Sequence, residues 1–352
     1  MSDLESLIRP QVRNLKAYHV DEPAIKVKLH ANESPFNLDK SIIEEISKEI
    51  RTIDYNRYPD ADCEQIRCLL ASQLGVNKDQ LLLGNGSDEL IQMIIMGFGG
   101  HGYPVIIPHP TFSMYKNIAY AMGEEVNTIP LGKSFDLNRE AMVNEVAKGP
   151  SITFISYPNN PTGNCFSEET IIEILEASKG IVVIDEAYFD YSQKTFLDRL
   201  DKYPNMIVLR TLSKIGMASL RLGILITSQV LADVVNRVRL PYNIGSLQQV
   251  SALVAMRRRD IIDKAVMTVI KERSRVYKIM SELENIEIFT SHSNFILFRT
   301  RKAGQHFKKL IEKGVLIRNL DGEGPLKNCL RVTIGTSEEN DYFLNIIKSI
   351  EK

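Results

Sequence analysis

The chain has 352 residues, of which 44% are apolar, so it can bury a large core and is long enough for two subdomains. Lys and Arg number 43 against 44 Asp and Glu, a balance that favours neither nucleic acid nor an anionic membrane as a partner. No apolar run approaches the roughly 20 residues that cross a bilayer, and the first residues lack a basic segment followed by an apolar core. We therefore expect a cytoplasmic protein that acts on small molecules.

The four cysteines do not form the pattern of a disulfide framework in a chain of this length. Cys63 and Cys68 are five residues apart, a spacing that places them on different faces of a helix. We expect reduced thiols that pack as small core residues, and no metal site.

The central part of the chain predicts a parallel sheet. From about residue 80 to 227, short apolar runs alternate with amphipathic stretches, and the runs are "LLL", "VIIP", "ITFISY", "IVVID", "MIVLRT" and "LGILIT". Alternating strands and helices are typical of a mostly parallel sheet that helices cover on both faces.

The last third of the chain has a different pattern. A long helical stretch runs from Ser246 to Leu283, and the runs "SNFILFRT", "GVLIRNL" and "CLRVTIG" then predict strands of a smaller α+β domain. The first 29 residues are too short to fold alone, so we expect them to pack on that domain or on a neighbouring subunit. These patterns predict a large domain over residues 30–245, and a second unit of residues 1–29 and 246–352 joined to it by the long helix.

Three of the apolar runs end in polar residues of different chemistry. Asn160 follows "ITFISY", Asp185 ends "IVVID", and Lys214 follows "MIVLRT". Ligands of open α/β sheets bind at the carboxyl ends of the strands, where these side chains would meet. Taken singly they are as well explained by a turn, a helix cap and a solvated lysine. An ion pair between Asp185 and Lys214 is a further alternative, but burying such a pair is often unfavourable, so a cofactor explains both charges better.

An anion site is predicted in "LLLGNGSDELIQMIIMGF", which reads as a strand, a glycine turn and a helix that begins near Ser87. Free backbone N–H groups at a helix start bind phosphate, although an ordinary capped helix start is the more frequent meaning of such a stretch. Position 89 is Glu, so the dinucleotide fingerprint is absent. Arg221 would reach the same phosphate, with Thr211 and Ser213 as hydroxyl donors. Phe112, after "VIIP", offers an aromatic face for stacking or a core side chain.

With these residues in place, the chain resembles the fold type I pyridoxal-phosphate aminotransferases of class II, over nearly its whole length. The motifs "NNPTG", "DEAY" and "SK", in this order, carry the resemblance to the superfamily. "ANESPF", "NRYPD" and "LRVTIGT" carry a resemblance to its histidinol-phosphate branch. The resemblance implies an α/β fold with three layers, in which a mostly parallel central sheet forms the large domain beside a smaller α+β domain.

The resemblance also implies the cofactor, pyridoxal 5'-phosphate, and the residues around it. Lys214 would bond to the cofactor aldehyde and shuttle the proton, Asp185 would meet the ring nitrogen, and Tyr188 and Asn160 would contact the ring oxygen. Phe112 would stack on the ring, without the hydroxyl of the tyrosine that many relatives carry there. The phosphate would be bound by Ser87, Asp88, Thr211, Ser213 and Arg221, joined by Tyr58 from a second copy of the chain.

For the substrate, the resemblance implies a cationic region centred on Arg331. Tyr18, Asn32, Tyr58, Asn160 and Arg318 are the other residues that match substrate-binding positions. Because Tyr58 would act in the neighbouring subunit, the resemblance predicts a homodimer that shares its active sites across the interface.

The implied reaction is transamination between L-glutamate and 2-oxoglutarate on one side and L-histidinol phosphate and imidazole acetol phosphate on the other, in histidine biosynthesis. Three alternatives remain open from the residues. They are an aromatic amino-acid aminotransferase of the same branch, a phospho-amino-acid decarboxylase, and a non-catalytic ligand sensor on the same fold.

Overall fold

The computed structural model of the chain describes residues 7–13 and 25–351. Its helices are α1 (Pro10–Arg13), α2 (Lys40–Ile50), α3 (Glu64–Leu74), α4 (Ser87–Phe98), α5 (Ser113–Met122), α6 (Arg139–Val146), α7 (Glu168–Ala177), α8 (Phe189–Ser192), α9 (Gln229–Arg237), α10 (Ser246–Arg257), α11 (Arg259–Ser281), α12 (Ala303–Glu312) and α13 (Ser337–Glu351). Its strands are β1 (Val27–Leu29), β2 (Leu81–Asn85), β3 (Val105–His109), β4 (Val126–Pro130), β5 (Ile152–Ser156), β6 (Ile181–Asp185), β7 (Met206–Thr211), β8 (Leu222–Thr227), β9 (Glu287–Ile288), β10 (Phe295–Arg299), β11 (Val315–Asn319) and β12 (Cys329–Thr333).

Seven strands form the large sheet, in the order β2-β8-β7-β6-β5-β3-β4. The pairs from β7 across to β4 are parallel, whereas β8 runs antiparallel to both β2 and β7. Apart from the edge strand β4, the strands are buried along almost their whole length because helices cover both faces, and parallel strands in such a position are apolar throughout. Along β6, Val183 packs in the cluster of α4, α5 and α9, while Val182 and Ile184 pack in the cluster on the other face.

Five strands form the second sheet, in the order β1-β11-β12-β10-β9. The chain's first strand, β1, lies parallel to β11, and the remaining neighbours are antiparallel. The two sheets and their helices give the mixed α/β architecture that was predicted, with a mostly parallel large sheet and a smaller mixed one. The domain limits at residues 30 and 245 stay a prediction.

Across residues 7–13 and 25–351, none of the helices combines the length and the apolar character that crossing a membrane demands. All four cysteines are free thiols; Cys63 and Cys329 are buried and Cys165 is partly buried, but Cys68 is exposed, so the prediction that the cysteines pack as core residues is wrong for Cys68.

Candidate active site

The carboxyl ends of β5, β6 and β7 lie side by side at one edge of the large sheet, because these strands are parallel neighbours. Asp185 is the last residue of β6 and pairs in register with Ser156 of β5 and Leu209 of β7. Lys214 ends a single 3-10 turn, Leu212–Lys214, which follows β7 directly. The fold therefore brings the loops that carry the predicted amide, carboxylate and amine to the same edge.

Asp185 is a buried acid, with only 3% of its surface exposed. Its Oδ2 accepts a hydrogen bond from the Tyr115 hydroxyl at 2.6 Å, and its Oδ1 accepts one from the Ala187 N–H at 3.0 Å. Burial raises the pKa of Asp185 to about 6, although both hydrogen bonds lower it. A cation placed against this carboxylate would restore its charge, since an opposite charge nearby favours the ionised form.

Tyr115 is a site residue that was missed from the sequence. Its ring is fully buried, stacks on Phe154 with ring centroids 4.9 Å apart, and meets Phe112 edge-on at 5.4 Å. Burial raises the pKa of Tyr115 well above its ordinary value, so the phenol stays protonated and donates to Asp185. The sequence did contain a signal for it: Phe112 and Tyr115 are three residues apart, a spacing that places two side chains on the same side of a helix.

Glu186, the second acid of "DEAY", faces the other way. Successive residues of an extended chain point to opposite faces, and Glu186 is buried with its Oε2 accepting from Arg210 Nη2 at 2.8 Å and Nε at 3.0 Å. The motif thus places one acid towards the strand-end site and pairs the other with an internal arginine.

Lys214 and Tyr188 lie close together. The Lys214 Nζ is 5.8 Å from the centroid of the Tyr188 ring, whose edge packs against Phe295. The Tyr188 hydroxyl accepts a hydrogen bond from Asn32 Nδ2 at 2.9 Å, which leaves its own proton to be donated to a ligand. The structure thus gives Asn32 a role in orienting Tyr188.

Asn32 is itself held by the second sheet. Its backbone N–H donates to Thr333 Oγ1 at 3.0 Å, and that hydroxyl lies 3.1 Å from Asn32 Oδ1. Asn32 is buried and has a φ of 55°, a left-handed conformation that asparagine tolerates better than most residues. The contact joins the last residue of β12 to the side chain that orients Tyr188.

The predicted anion site is at the N-terminus of α4. Ser87 and Asp88 form the first turn of this helix after Gly86. Arg221 Nη2 donates to Asp88 Oδ2 at 3.0 Å, and both side chains are more than a third exposed. An exposed ion pair of this kind contributes about 1 kcal/mol or less to stability. A bound anion can therefore replace the Asp88 carboxylate as the partner of the Arg221 guanidinium.

Two hydroxyls complete the anion corner, the site formed by Ser87, Asp88, Thr211, Ser213 and Arg221. Thr211 and Ser213 are buried, with their oxygens 3.0 Å apart, and the Ser213 N–H donates to Thr211 Oγ1 at 3.2 Å. Backbone N–H groups at a helix start, hydroxyls and a guanidinium are all donors, which is the set that binds phosphate.

Glycines leave the space that this donor set needs. A Cβ on Gly86 would lie 2.4 Å from Arg221 Nη2, and a Cβ on Gly223 would lie 2.5 Å from the carbonyl carbon of Gly86. The turn before α4 therefore packs against β8 only because Gly223 has no side chain, and a side chain on Gly86 would displace the end of Arg221. Together with the buried acid and the nearby lysine, this corner fits a phosphorylated cofactor with a cationic ring.

Arg331 and Asn160 are in direct contact. Arg331 Nη1 donates to Asn160 Oδ1, and its Nη2 donates to the His30 carbonyl at 2.9 Å. The guanidinium lies over the Phe295 ring, with its carbon 5.0 Å from the centroid. Arg331 is thus oriented from three sides.

Arg318 is exposed and pairs in register with Arg331 across the antiparallel strands β11 and β12. Directly opposite residues of antiparallel strands project from the same face of a sheet, so two cationic side chains share that face. Tyr18, the other predicted substrate contact, lies outside the described residues.

Phe112 and Tyr58 occupy different surroundings. Phe112 is partly buried at the start of α5 and packs on the Tyr115 ring. Tyr58 has 79% of its surface exposed and stacks on Tyr242, with centroids 4.5 Å apart and ring planes 12° from parallel. An exposed, stacked aromatic pair is a surface feature suited to contact with another molecule.

The sequence matches the family described as aminotransferase class I and II over residues 24–347. The chain therefore belongs to this family and is an aminotransferase. Among curated relatives, it is 42% identical over 350 residues to histidinol-phosphate aminotransferase 2 of Nitrosococcus oceani, covering 98% of this chain and 97% of that one. It is 39% identical over 346 residues to the histidinol-phosphate aminotransferase of Aquifex aeolicus, covering 97% of each. These matches confirm the resemblance to the histidinol-phosphate branch.

A crystal structure of histidinol-phosphate aminotransferase from Sinorhizobium meliloti in complex with pyridoxal-5'-phosphate superposes with a TM-score of 0.86. It covers 98% of both chains at 22% sequence identity. At that identity the likeness shows the fold, which is the fold that the resemblance implied.

Proposed function

We propose that this aminotransferase uses pyridoxal 5'-phosphate to transfer nitrogen from L-glutamate to imidazole acetol phosphate, and that it thereby produces L-histidinol phosphate and 2-oxoglutarate in histidine biosynthesis. The observation that carries the proposal is the buried Asp185, whose charge needs a cationic partner, at the same sheet edge as Lys214 and an anion corner rich in hydrogen-bond donors. The names of the relatives that match almost the full length of the chain support the substrate.

The cofactor, when bound, supplies an aldehyde that accepts an amino group and a ring that withdraws electrons from the reacting carbon. Asp185 would hold a proton on the ring nitrogen, since a carboxylate beside that atom favours its protonated form. Ser87, Thr211, Ser213, Arg221 and the N–H groups of the first turn of α4 would bind the phosphate.

Lys214 is the base in this proposal. Its Nζ would take the proton from the substrate carbon that bears the nitrogen, and would deliver that proton to the carbon of the cofactor that carries the aldehyde. Tyr188, oriented by Asn32, would donate its hydroxyl proton to the ring oxygen, and Asn160 would approach the same oxygen with its amide.

The substrate phosphate would be bound by Arg331 and Arg318. A phosphate dianion suits two guanidinium groups better than a single carboxylate does, because each guanidinium can bind two oxygens. This cross-strand pair supports a phosphorylated substrate over an aromatic amino acid.

We also propose that the protein works as a homodimer in which Tyr58 enters the active site of the second copy. Its exposure and its stacking on Tyr242 support this role. The segment that carries Tyr58 is fixed by its own chain, since Arg239 Nη1 donates to the Ala61 carbonyl at 2.7 Å and Gln249 Nε2 donates to the Asp60 carbonyl at 2.8 Å.

The test is a set of initial rates with 2-oxoglutarate as acceptor and histidinol phosphate, phenylalanine or tyrosine as donor. We expect histidinol phosphate to give the highest kcat/KM, and Lys214→Ala to abolish turnover with every donor while the protein stays folded. Preference for phenylalanine or tyrosine would assign the aromatic alternative. Release of CO2 without need of a keto acid would assign a decarboxylase, and a purified protein without the visible absorbance of lysine-bound cofactor would be a sensor.

A further inference from the structure

The backbone of Lys214 is held by a tyrosine from another segment. Lys214 ends its 3-10 turn, and the chain then leaves the helical conformation at Ile215 and turns at Gly216, which has a φ of 96°. Carbonyls at the end of a helical turn lack intrahelical donors and need other partners. The Lys214 carbonyl accepts a hydrogen bond from the Tyr191 hydroxyl at 2.6 Å.

Tyr191 is a rigid donor. Its ring has 2% of its surface exposed and belongs to the main hydrophobic cluster. Its backbone N–H donates to the Tyr188 carbonyl at 3.0 Å. Its own carbonyl lies 3.4 Å from Arg273 Nη1, which also donates to the Ser293 carbonyl at 2.7 Å. The hydroxyl that reaches Lys214 is therefore fixed by a buried ring, by Tyr188 and by helix α11.

We infer that Tyr191 is a positioning residue for Lys214, whose hydroxyl fixes the backbone from which the reacting amine extends. The inference rests on the proposed function, in which the Lys214 amine serves two different carbon atoms in turn. The four side-chain torsions of lysine supply that movement, provided that the backbone carrying them stays in place. Misplacement of a reacting group by about 1 Å is enough to lower a rate substantially.

The chemistry of the donor supports this role. Burial raises the pKa of Tyr191 above its ordinary value, so the hydroxyl keeps its proton throughout the working pH range. Thr211 and Ser213, which precede Lys214, hydrogen-bond to each other, and Tyr191 provides the contact on the far side of the lysine. Lys214 is thus held between the anion corner and the segment that carries Tyr188.

The variant that tests the inference is Tyr191→Phe, which removes one oxygen and keeps the buried ring. Its matched control is Tyr203→Phe. Tyr203 lies in the loop before β7, its ring is also buried, and its hydroxyl donates to Glu176 Oε1 at 3.1 Å. Each variant of the full-length protein is compared with wild type by hydrogen–deuterium exchange of the peptide 212–221, with and without pyridoxal phosphate. Steady-state kinetics are measured on the same preparations.

In Tyr191→Phe we expect exchange of peptide 212–221 to be about fivefold faster and kcat to be about fivefold lower, the change that corresponds to one net hydrogen bond. KM is expected to stay unchanged, and Tyr203→Phe is expected to match wild type in both measurements. Unchanged exchange in Tyr191→Phe, or unchanged kcat, would overturn the inference. Exchange is measured without substrate, so a wild-type protein that turns over no histidinol phosphate would contradict the proposed function and leave the exchange comparison intact.

Discussion

The buried Asp185, which would serve the chemistry of the site, lowers the folding stability of the cofactor-free protein near neutral pH. The folded chain raises its pKa from an ordinary value of 3.8 to about 6 by burial, so without cofactor the folded protein binds this proton more tightly than the unfolded chain does. The contribution of Asp185 to stability therefore falls as pH rises from about 4 to about 6, and the loss is complete above that range.

The fall in stability with rising pH can be tested with Asp185→Asn, which keeps the size of the side chain and removes its charge. At pH 7 we expect the cofactor-free variant to have a free energy of unfolding about 3 kcal/mol higher than wild type, and at pH 4 an advantage of about 0.5 kcal/mol. Urea denaturation at both pH values measures it. An equal difference at the two pH values would mean that the Asp185 charge is not the cause. The same variant should lose transamination, because the ring nitrogen would lack its carboxylate.

Position in a parallel sheet is enough to predict that Asp185 and the turn carrying Lys214 lie at the same sheet edge, while the catalytic roles of both residues stay predictions. The sequence did not predict Tyr115, because its hydroxyl becomes relevant only when α5 packs against β6 and the phenol reaches Asp185. Nor did it predict that Asn160 contacts Arg331, since the two residues are 171 positions apart, Asn160 in the loop after β5 of the large sheet and Arg331 in β12 of the second sheet. Contacts of this kind depend on how elements pack, which local patterns do not encode.

Among the elements, the turn between β2 and α4 depends most on the absence of side chains. Gly86 has a φ of 82°, and a Cβ there would lie 2.4 Å from Arg221 Nη2. In Gly86→Ala we expect the guanidinium to be displaced and the affinity for pyridoxal phosphate to fall by about tenfold or more, as for the loss of one charge-assisted hydrogen bond. A spectroscopic titration with the cofactor measures it.

Gly100→Ala is the control for backbone strain. Gly100 has a φ of 81°, but a Cβ there would contact nothing within 4 Å. Both variants should lose folding stability, on the order of 1 to 3 kcal/mol, because alanine rarely adopts a positive φ, while only Gly86→Ala should lose cofactor affinity. Equal cofactor affinities in the two variants would show that the contact with Arg221 is unimportant.

Strands β11 and β12 supply a prediction about substrate selection. Because Arg318 pairs in register with Arg331, we expect Arg318→Gln to raise KM for histidinol phosphate about tenfold, the value of one charge-assisted hydrogen bond. KM for phenylalanine, which has no phosphate, should change little. Arg299→Gln is the control, since Arg299 is an arginine of the same sheet that pairs with Glu287. An equal rise for both donors would remove Arg318 from phosphate binding.

For the whole molecule, the alternation of strands and helices was sufficient to predict the fold class, because apolar runs separated by amphipathic helices have few ways to pack. The strand order was not predictable in this way. The antiparallel insertion of β8 between β2 and β7, and the pairing of β1 with β11 almost 300 residues away, are long-range choices. The pattern of apolar residues along a run indicates which residues are buried, but it does not identify the strand that pairs with that run.

The largest-scale prediction concerns the number of chains in one active site. If Tyr58 acts in the second copy, a dimer of one Tyr58→Ala chain and one Lys214→Ala chain has one site with both residues intact. Co-expression with two different tags allows this hybrid to be purified, and we expect it to have about half the wild-type rate per dimer, although each parent homodimer is nearly inactive. A hybrid of Asp185→Asn and Lys214→Ala is the control, because those residues act within one chain and no intact site can form. An inactive Tyr58 hybrid would place that residue in its own chain's site, and the exposed stack with Tyr242 would then need a different explanation.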